Sequence, residues 1–246
     1  MRYALCLHGL IGSLDGKSGA SGSCLDVLDL AYKHLSKYIL GENNIDIFIH
    51  SWDIEYATEI LEKFKPIKSN IEIQKQFKKE KRINNHYSRW YSFMQSVNLK
   101  TEYESENNLK YDGVMVSRFD VAWLKHIEFN KYDMDYFYVS QWYKSNKIRK
   151  DESKIKDIWF LSSSKNINEF SNLYLMLDKY NNIKSLKHEE LGISSHYLAK
   201  HHCDINKLEI KKILKLDEGK SGVINVKNSD YSLIRHIYAN KNNLIR

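Results

Sequence analysis

The sequence predicts an α/β fold, with a mixed, mostly parallel central sheet flanked by helices, and three observations predict it. Strand and helix signals alternate from the third residue onward, the pattern of a sheet covered on both faces. The apolar run Val114-Met115-Val116 is too short for a free-standing helix and reads as a buried strand, ending abruptly in Ser117, Arg118 and Asp120. A glycine-rich loop follows the first strand, holding five of the ten glycines, at Gly9, Gly12, Gly16, Gly19 and Gly22.

Residues 3 to 8 form the first strand of this reading. A helix follows from about Ser23 to Leu40, with Leu25, Leu28, Leu35 and Ile39 as its apolar stripe and Gly41 as its stop. Ile45 to His50 is a second strand, and 54 to 64 reads as a helix ending before Pro66, the sole proline. After a short strand near Ile71 comes a basic stretch. Trp90, Phe93, Met94 and Val97 then keep helical spacing, with Ser88-Arg89-Trp90-Tyr91-Ser92 opening that helix. Tyr136 to Ser140 and Ile158 to Ser162 read as strands, Asn166 to Lys179 and Glu189 to Lys200 as helices. The tail from Ile205 mixes a strand pattern with a last helix around Ser232 to Tyr238. Without repeats or low-complexity linkers, residues 1-246 read as a single domain, with about 1-120 as a nucleotide-binding half and 121-246 as an acceptor-side half.

Composition removes several classes. Hydrophobic content of 42% and charge of 28% are those of a globular chain able to bury a core. No apolar run reaches membrane-spanning length, and the N-terminus lacks a signal-peptide layout. Cys6, Cys24 and Cys203 are scattered and odd in number, which favours a reducing compartment and no zinc site. A cytoplasmic location is expected. The net charge of +7 and the cluster from Lys75 to Arg82 come with no nucleic-acid-binding signature, so no nucleic-acid partner is expected. Peripheral contact with the anionic inner membrane face fits the same charge.

Several side chains carry chemistry. Arg118 at a strand's carboxyl end suits a phosphate or carboxylate, which its planar fork meets with two hydrogen bonds. Asp120, two residues on in an extended segment, points the same way, suited to a divalent ion or a sugar hydroxyl or, more plainly, to an ion pair. In the glycine loop, His8, Gly9 and Ser13 are the contact candidates, with Lys17 a further diphosphate partner. The loop has no Gly-x-Gly-x-x-Gly, and Gly12 to Gly16 is one residue short of phosphate-loop spacing. His50 and Trp52 close the second strand, where Trp52 reads equally as a stacking surface or a core cap. Arg89 at a helix opening favours an anion. Asp157 heads a buried strand, and Glu189 and Glu190 stand in the first turn of a helix. His201-His202-Cys203 has a metal-binding composition, but neighbouring histidines point apart.

Taken in order, the glycine-bearing loop, Asp46-Ile47-Phe48-Ile49-His50-Ser51-Trp52, Ser88-Arg89-Trp90-Tyr91, Tyr111-Asp112 through Arg118-Phe119-Asp120, Asp157-Ile158-Trp159-Phe160 and His188-Glu189-Glu190 form a series. The series resembles bacterial GT-A-type glycosyltransferases of capsular polysaccharide and lipooligosaccharide biosynthesis, over about residues 2 to 200. The resemblance implies a Rossmann-like GT-A domain that moves a sugar from a nucleotide-diphosphate donor to a glycan acceptor. It further implies Mn2+ or Mg2+ held by an Asp-x-Asp, and here the first acid position is Arg118, leaving Asp120 alone. Either Asp120 holds the metal with the diphosphate, or Arg118 supplies the charge that stabilises the departing diphosphate. Asp157 or Glu190 is the candidate base. Donor-binding residues on this reading are His8, Gly9, Ser13, His50, Trp52, Arg89, Arg118 and Asp120. An inactive nucleotide- or sugar-binding module and a nucleotidyl or phosphoryl transferase are the alternatives. Donor identity, acceptor, stereochemistry and oligomeric state are not set by the sequence.

Overall fold

The computed structural model describes residues 1–12, 23–188, 192–219 and 223–239. Ser13, Lys17, Glu189 and Glu190 lie outside the described residues.

The first half of the sheet is built from β1 (Tyr3–Gly9), β2 (Ile45–Ser51), β3 (Lys68–Ile71) and β4 (Gly113–Arg118). Between them run α1 (Cys24–Tyr38), α2 (Ala57–Phe64) and α3 (Lys81–Glu106). A short β5 (Val121–Trp123) leaves the sheet, β6 (Phe137–Lys144) and β7 (Lys147–Ile148) return to it, and β8 (Trp159–Ser162) inserts beside β4. Next come α4 (Ser164–Ser171), α5 (Leu177–Tyr180), the pair β9 (Lys187–His188) and β10 (Gly192–Ile193), and α6 (Ser195–Ile205). The chain closes with β11 (Ile210–Glu218), β12 (Tyr231–Leu233) and α7 (Ile234–Ala239).

The eight-stranded sheet has the order β11-β6-β8-β4-β1-β2-β3, with β7 on β6. β1 is parallel to both β2 and β4, whereas β8 is antiparallel to β4 and β6. Period-two alternation explains why β1 reads as a continuous apolar run. Tyr3, Leu5 and Leu7 enter the core under α1 and α2, while Ala4 and Cys6 enter the core under α3. The first of these cores runs from Tyr3 to Ile234, so both halves of the chain share it.

Helix boundaries depart from the sequence reading in places that matter. α3 begins at Lys81, capped by the Glu80 carboxylate, so Ser88 to Ser92 lie inside it and its free amides are eight residues upstream of Arg89. The stripe of α1 is Val27, Leu28, Ala31 and Leu35, which leaves Leu25 exposed. The predicted helix 166 to 179 is broken into α4, a 3₁₀ segment and α5. Of the predicted helix 189 to 200, the described part begins at Ser195. Ser232, expected in the last helix, is in β12.

Candidate functional site

β1 connects to β2 on one side and lies against β4 on the other, so the strand order reverses at β1. Open α/β sheets bind ligands in the crevice beyond the carboxyl ends of the strands at such a reversal. A cavity of about 270 Å³ occupies that crevice, walled by the backbone from His8 to Gly12 and by Trp52, Arg89, Arg118, Asp120 and Arg235.

The loop after β1 is held from below by β2. Ser51 Oγ donates to Gly9 O at 3.1 Å, Trp52 N donates to the same carbonyl at 3.3 Å, and Ile11 N–H donates to the Asp53 carboxylate. Gly9 (φ 94°) and Gly12 (φ 89°) turn the chain with positive φ, where a side chain is strained. Gly9 N donates to Ser92 Oγ at 2.8 Å, which ties the loop to the middle of α3.

Three separate elements bring arginines together. Arg118 ends β4, opposite His8 on β1. Arg89 projects from α3 and pairs with Asp157. Because β8 runs antiparallel, its leading residues arrive at the carboxyl end of β4, where Arg118 N donates to Ile158 O at 3.4 Å, and Asp157 comes with them. Arg235 is delivered by the antiparallel pairing of β12 on β5, continued as Ile234 N donating to Asp120 O at 2.9 Å.

Charges on this ring are unevenly matched. Arg118 donates from Nε to Asp120 Oδ1 at 2.8 Å and from Nη2 to Oδ2 at 2.6 Å. Arg235 Nη1 stands 3.9 Å from the same Oδ2. Burial opposes ionisation of Asp157, but Arg89, His196 and Arg118 together outweigh it and hold the carboxyl well below its ordinary value. Burial, reinforced by Arg89, Arg118 and His50, drives His8 well below the usual imidazole range, so His8 is neutral. Three guanidinium groups thus face two carboxylates, an excess of positive charge suited to an anion.

Orphaned polar atoms mark the same place. Among the described residues, His8 Nδ1, Trp52 Nε1 and Arg89 Nε and Nη2 are buried without a hydrogen-bond partner, and all three residues line the cavity. Such groups are rarely left unpaired, so a ligand or water there is expected. For a divalent cation the donors fit poorly. Asp120 is the one carboxylate among the described residues around this cavity, and both its oxygens already accept from Arg118. The described residues contain no cluster of His, Cys, Asp or Glu arranged to hold a metal ion.

Of the sequence candidates, His8, Gly9, Trp52, Arg89, Arg118 and Asp120 meet at the cavity. His50 does not: it is fully buried beneath the loop, with Nδ1 2.7 Å from Ser92 Oγ and Nε2 3.1 Å from Glu72 Oε1. Trp52 is 4% exposed and stacks on Tyr91 at 5.6 Å, so its ring is packed more than offered. Asp157 is present but committed, with Oδ2 on Arg89 and Oδ1 3.1 Å from His196 Nδ1, which makes it a poor base. His202 is a core residue, bonded to Tyr180 Oη at 2.9 Å. Arg235 and His196 were not anticipated. The segment Ile234-Arg235-His236 is visible in the sequence, but the pairing of β12 on β5 that places it is not.

Among the described residues no helix is long and apolar enough to cross a membrane. Compared with known protein families and with curated proteins, the chain matches none.

Proposed function

We propose that this protein is a glycosyltransferase of GT-A type, moving a sugar from a nucleoside-diphosphate donor to a hydroxyl of a bacterial surface glycan. The observation that carries the reading is the arginine-walled cavity at the strand-order reversal, beneath a glycine loop whose backbone a ligand can approach closely. A transferred sugar leaves behind a diphosphate, and catalysis depends on stabilising the charge that develops on it. Arg118, Arg89 and Arg235 supply that charge, with Asp120 fixing the orientation of Arg118. The work assigned to a metal in the family that the sequence resembles falls here to guanidinium groups.

His8 contributes as a neutral imidazole at the end of β1, able to donate to or accept from a phosphate or ribose oxygen. Asp157 keeps Arg89 in place rather than taking a proton. The cytoplasmic face of the inner membrane is the proposed working place, on the strength of the basic surface.

A thermal-shift panel of UDP, GDP, CDP and their sugars, each with EDTA or with Mn2+, tests the reading. One nucleoside diphosphate at a hundred times its dissociation constant adds about 2.7 kcal/mol of stability. Stabilisation in EDTA by one base supports the arginine-based donor site, and no stabilisation by any of them rejects it. Binding of donor without release of nucleoside diphosphate favours the inactive binding module, a reading to which the missing first carboxylate lends weight.

A further inference from the structure

A second cavity of about 170 Å³ adjoins the first, sharing Arg118 and Arg235 as a common wall. Its other side is formed by the segment leading into β8, by the end of β11 and by the first turn of α6, which contributes His196. We propose that this second cavity receives the acceptor hydroxyl and that His196, positioned by Asp157, is the general base of the transfer. The inference rests on the glycosyl-transfer reading above.

Geometry singles out His196. Its Nδ1 stands 3.1 Å from Asp157 Oδ1, at ion-pair distance although off the line of an ideal hydrogen bond. That neighbour favours the tautomer with the proton on Nδ1, which leaves the Nε2 lone pair available. Nε2 has no hydrogen-bond partner among the described residues, and the side chain is 31% exposed whereas Asp157 is 8% exposed. Asp157 is in turn fixed by Arg89, so a chain of contacts from α3 to α6 orients the ring. The start of α6 is anchored independently, since His86 Nδ1 lies 2.7 Å from Ser195 Oγ and Arg82 donates to Ile193 O at 2.9 Å.

The other groups around the cavity are already engaged. Lys156 is paired with Glu218, and Arg118 with Asp120. His236 lies against Arg235, whose Nε is 3.4 Å from its Nε2, and burial with that cation pulls it down to about 4. Asp157, Lys156, Glu218, Arg118, Arg235 and His236 are the charged or titratable groups that face His196 across this space. Among them His196 is the one imidazole that keeps a ring nitrogen without a partner among the described residues on a side chain open to a ligand.

The step balances on these residues. The acceptor O–H bond breaks and its proton passes to His196 Nε2. The oxygen bonds to the anomeric carbon, and the bond from that carbon to the diphosphate breaks, its electron pair staying on the leaving oxygen against Arg118 and Arg235. A base on the acceptor side, separate from the leaving group, corresponds to inversion at the anomeric carbon.

The test uses the full chain and His196→Gln, with UDP-, GDP- and CDP-hexoses as donors and water standing in for the acceptor. Nucleoside diphosphate release is measured against pH, and binding of UDP, GDP and CDP by calorimetry. Expected are unchanged nucleotide affinity, a loss in release of about a hundredfold or more, and disappearance of the acid limb of the pH profile. A His196→Gln protein that releases nucleotide at the wild-type rate overturns the base assignment alone. Equal losses of affinity and rate, with the acid limb intact, make His196 structural and also overturn it. A wild-type protein that neither binds nor cleaves any donor overturns the transfer reading and the base together.

Discussion

Arg118 holds Asp120, two residues ahead of it, through two parallel hydrogen bonds of 2.8 and 2.6 Å. The pair closes over the bend between β4 and β5, with Phe119 turned into the opposite core. Asp120 is thereby the counter-ion of a guanidinium first, and its carboxylate also faces Arg235. Replacing Asp120 with Asn leaves two arginines facing each other with no acid between them. Stability in anion-free buffer should fall by about 1–3 kcal/mol, less than for a fully buried pair because Arg118 is partly exposed. Inorganic pyrophosphate should restore more stability to this variant than to the wild type. Denaturant titrations with and without pyrophosphate measure both effects, and an indifferent Asn variant places the anion site elsewhere.

The glycine loop gives a second, local expectation. Gly9 has φ of 94°, and an added Cβ meets nothing within 4 Å, so Gly9→Ala is strained without a clash. Backbone strain alone should cost about 1–2 kcal/mol. For a chain of this size the melting temperature should fall by about 2–4 °C per kcal/mol. A stable Gly9→Ala protein would mean that the loop relaxes to another conformation.

Much of this arrangement was legible in the sequence because it is local. β1, β2 and β4 carry apolar runs bounded by polar residues, and Arg118 and Asp120 announce themselves by the abrupt change after Val116. Other features depend on contacts distant in the chain. Arg235 reaches Asp120 through strand pairing between Val121 and Leu233, which no local pattern encodes. Asp157 was visible as an acid, but that Arg89 neutralises it required α3 to extend seven residues upstream of Ser88, to Lys81. α3 escaped a full reading because its first two turns are polar, with their helical signal carried by the Glu80 cap rather than by an apolar stripe. His50 looked like a ligand contact at a strand end, yet Ser92 and Glu72 satisfy both its nitrogens.

Away from the site, Lys100 is a buried cation held by Glu104 at 2.9 Å, Ser164 at 2.6 Å and Asn168 at 2.7 Å. It fastens α3 to α4. Lys100→Ala leaves the buried Glu104 carboxylate with the exposed Lys110, at 3.3 Å, as its remaining cation and should cost toward the lower end of about 3–5 kcal/mol. Lys100→Met together with Glu104→Gln should cost less than Lys100→Met alone, and the cycle of Lys100→Met, Glu104→Gln and the double variant, read by denaturant unfolding, measures the coupling.

Acid should destabilise the fold through its buried histidines, before depressed carboxylates such as Asp157 titrate. Burial lowers His86, His202 and His236 to about 4, and lowers His8 and His50 as well. The unfolded chain takes up protons at these histidines near pH 6.5, whereas the folded chain refuses them until lower pH. Stability is therefore full above about pH 6.5 and falls as pH drops toward 4. Three protons alone give a slope of about 4 kcal/mol per pH unit at its steepest. Asp157 has the opposite sign: its depressed value stabilises the fold above about pH 4, and that share is lost only in stronger acid. Melting curves between pH 7.5 and 4 check the slope, and a flat profile over that range would contradict it.

Arg235 offers the most direct test of the central claim, that the guanidinium groups of Arg89, Arg118 and Arg235, gathered around the cavity beyond β1 and β4, bind a nucleoside diphosphate. UDP, GDP and CDP are titrated calorimetrically, in EDTA, into the wild-type protein and into Arg235→Ala. One nucleotide should bind the wild type without added metal, and the variant should bind it about tenfold more weakly, the loss of one charge-assisted contact. No binding in EDTA by any of the three, or equal affinity in the variant, would contradict the claim.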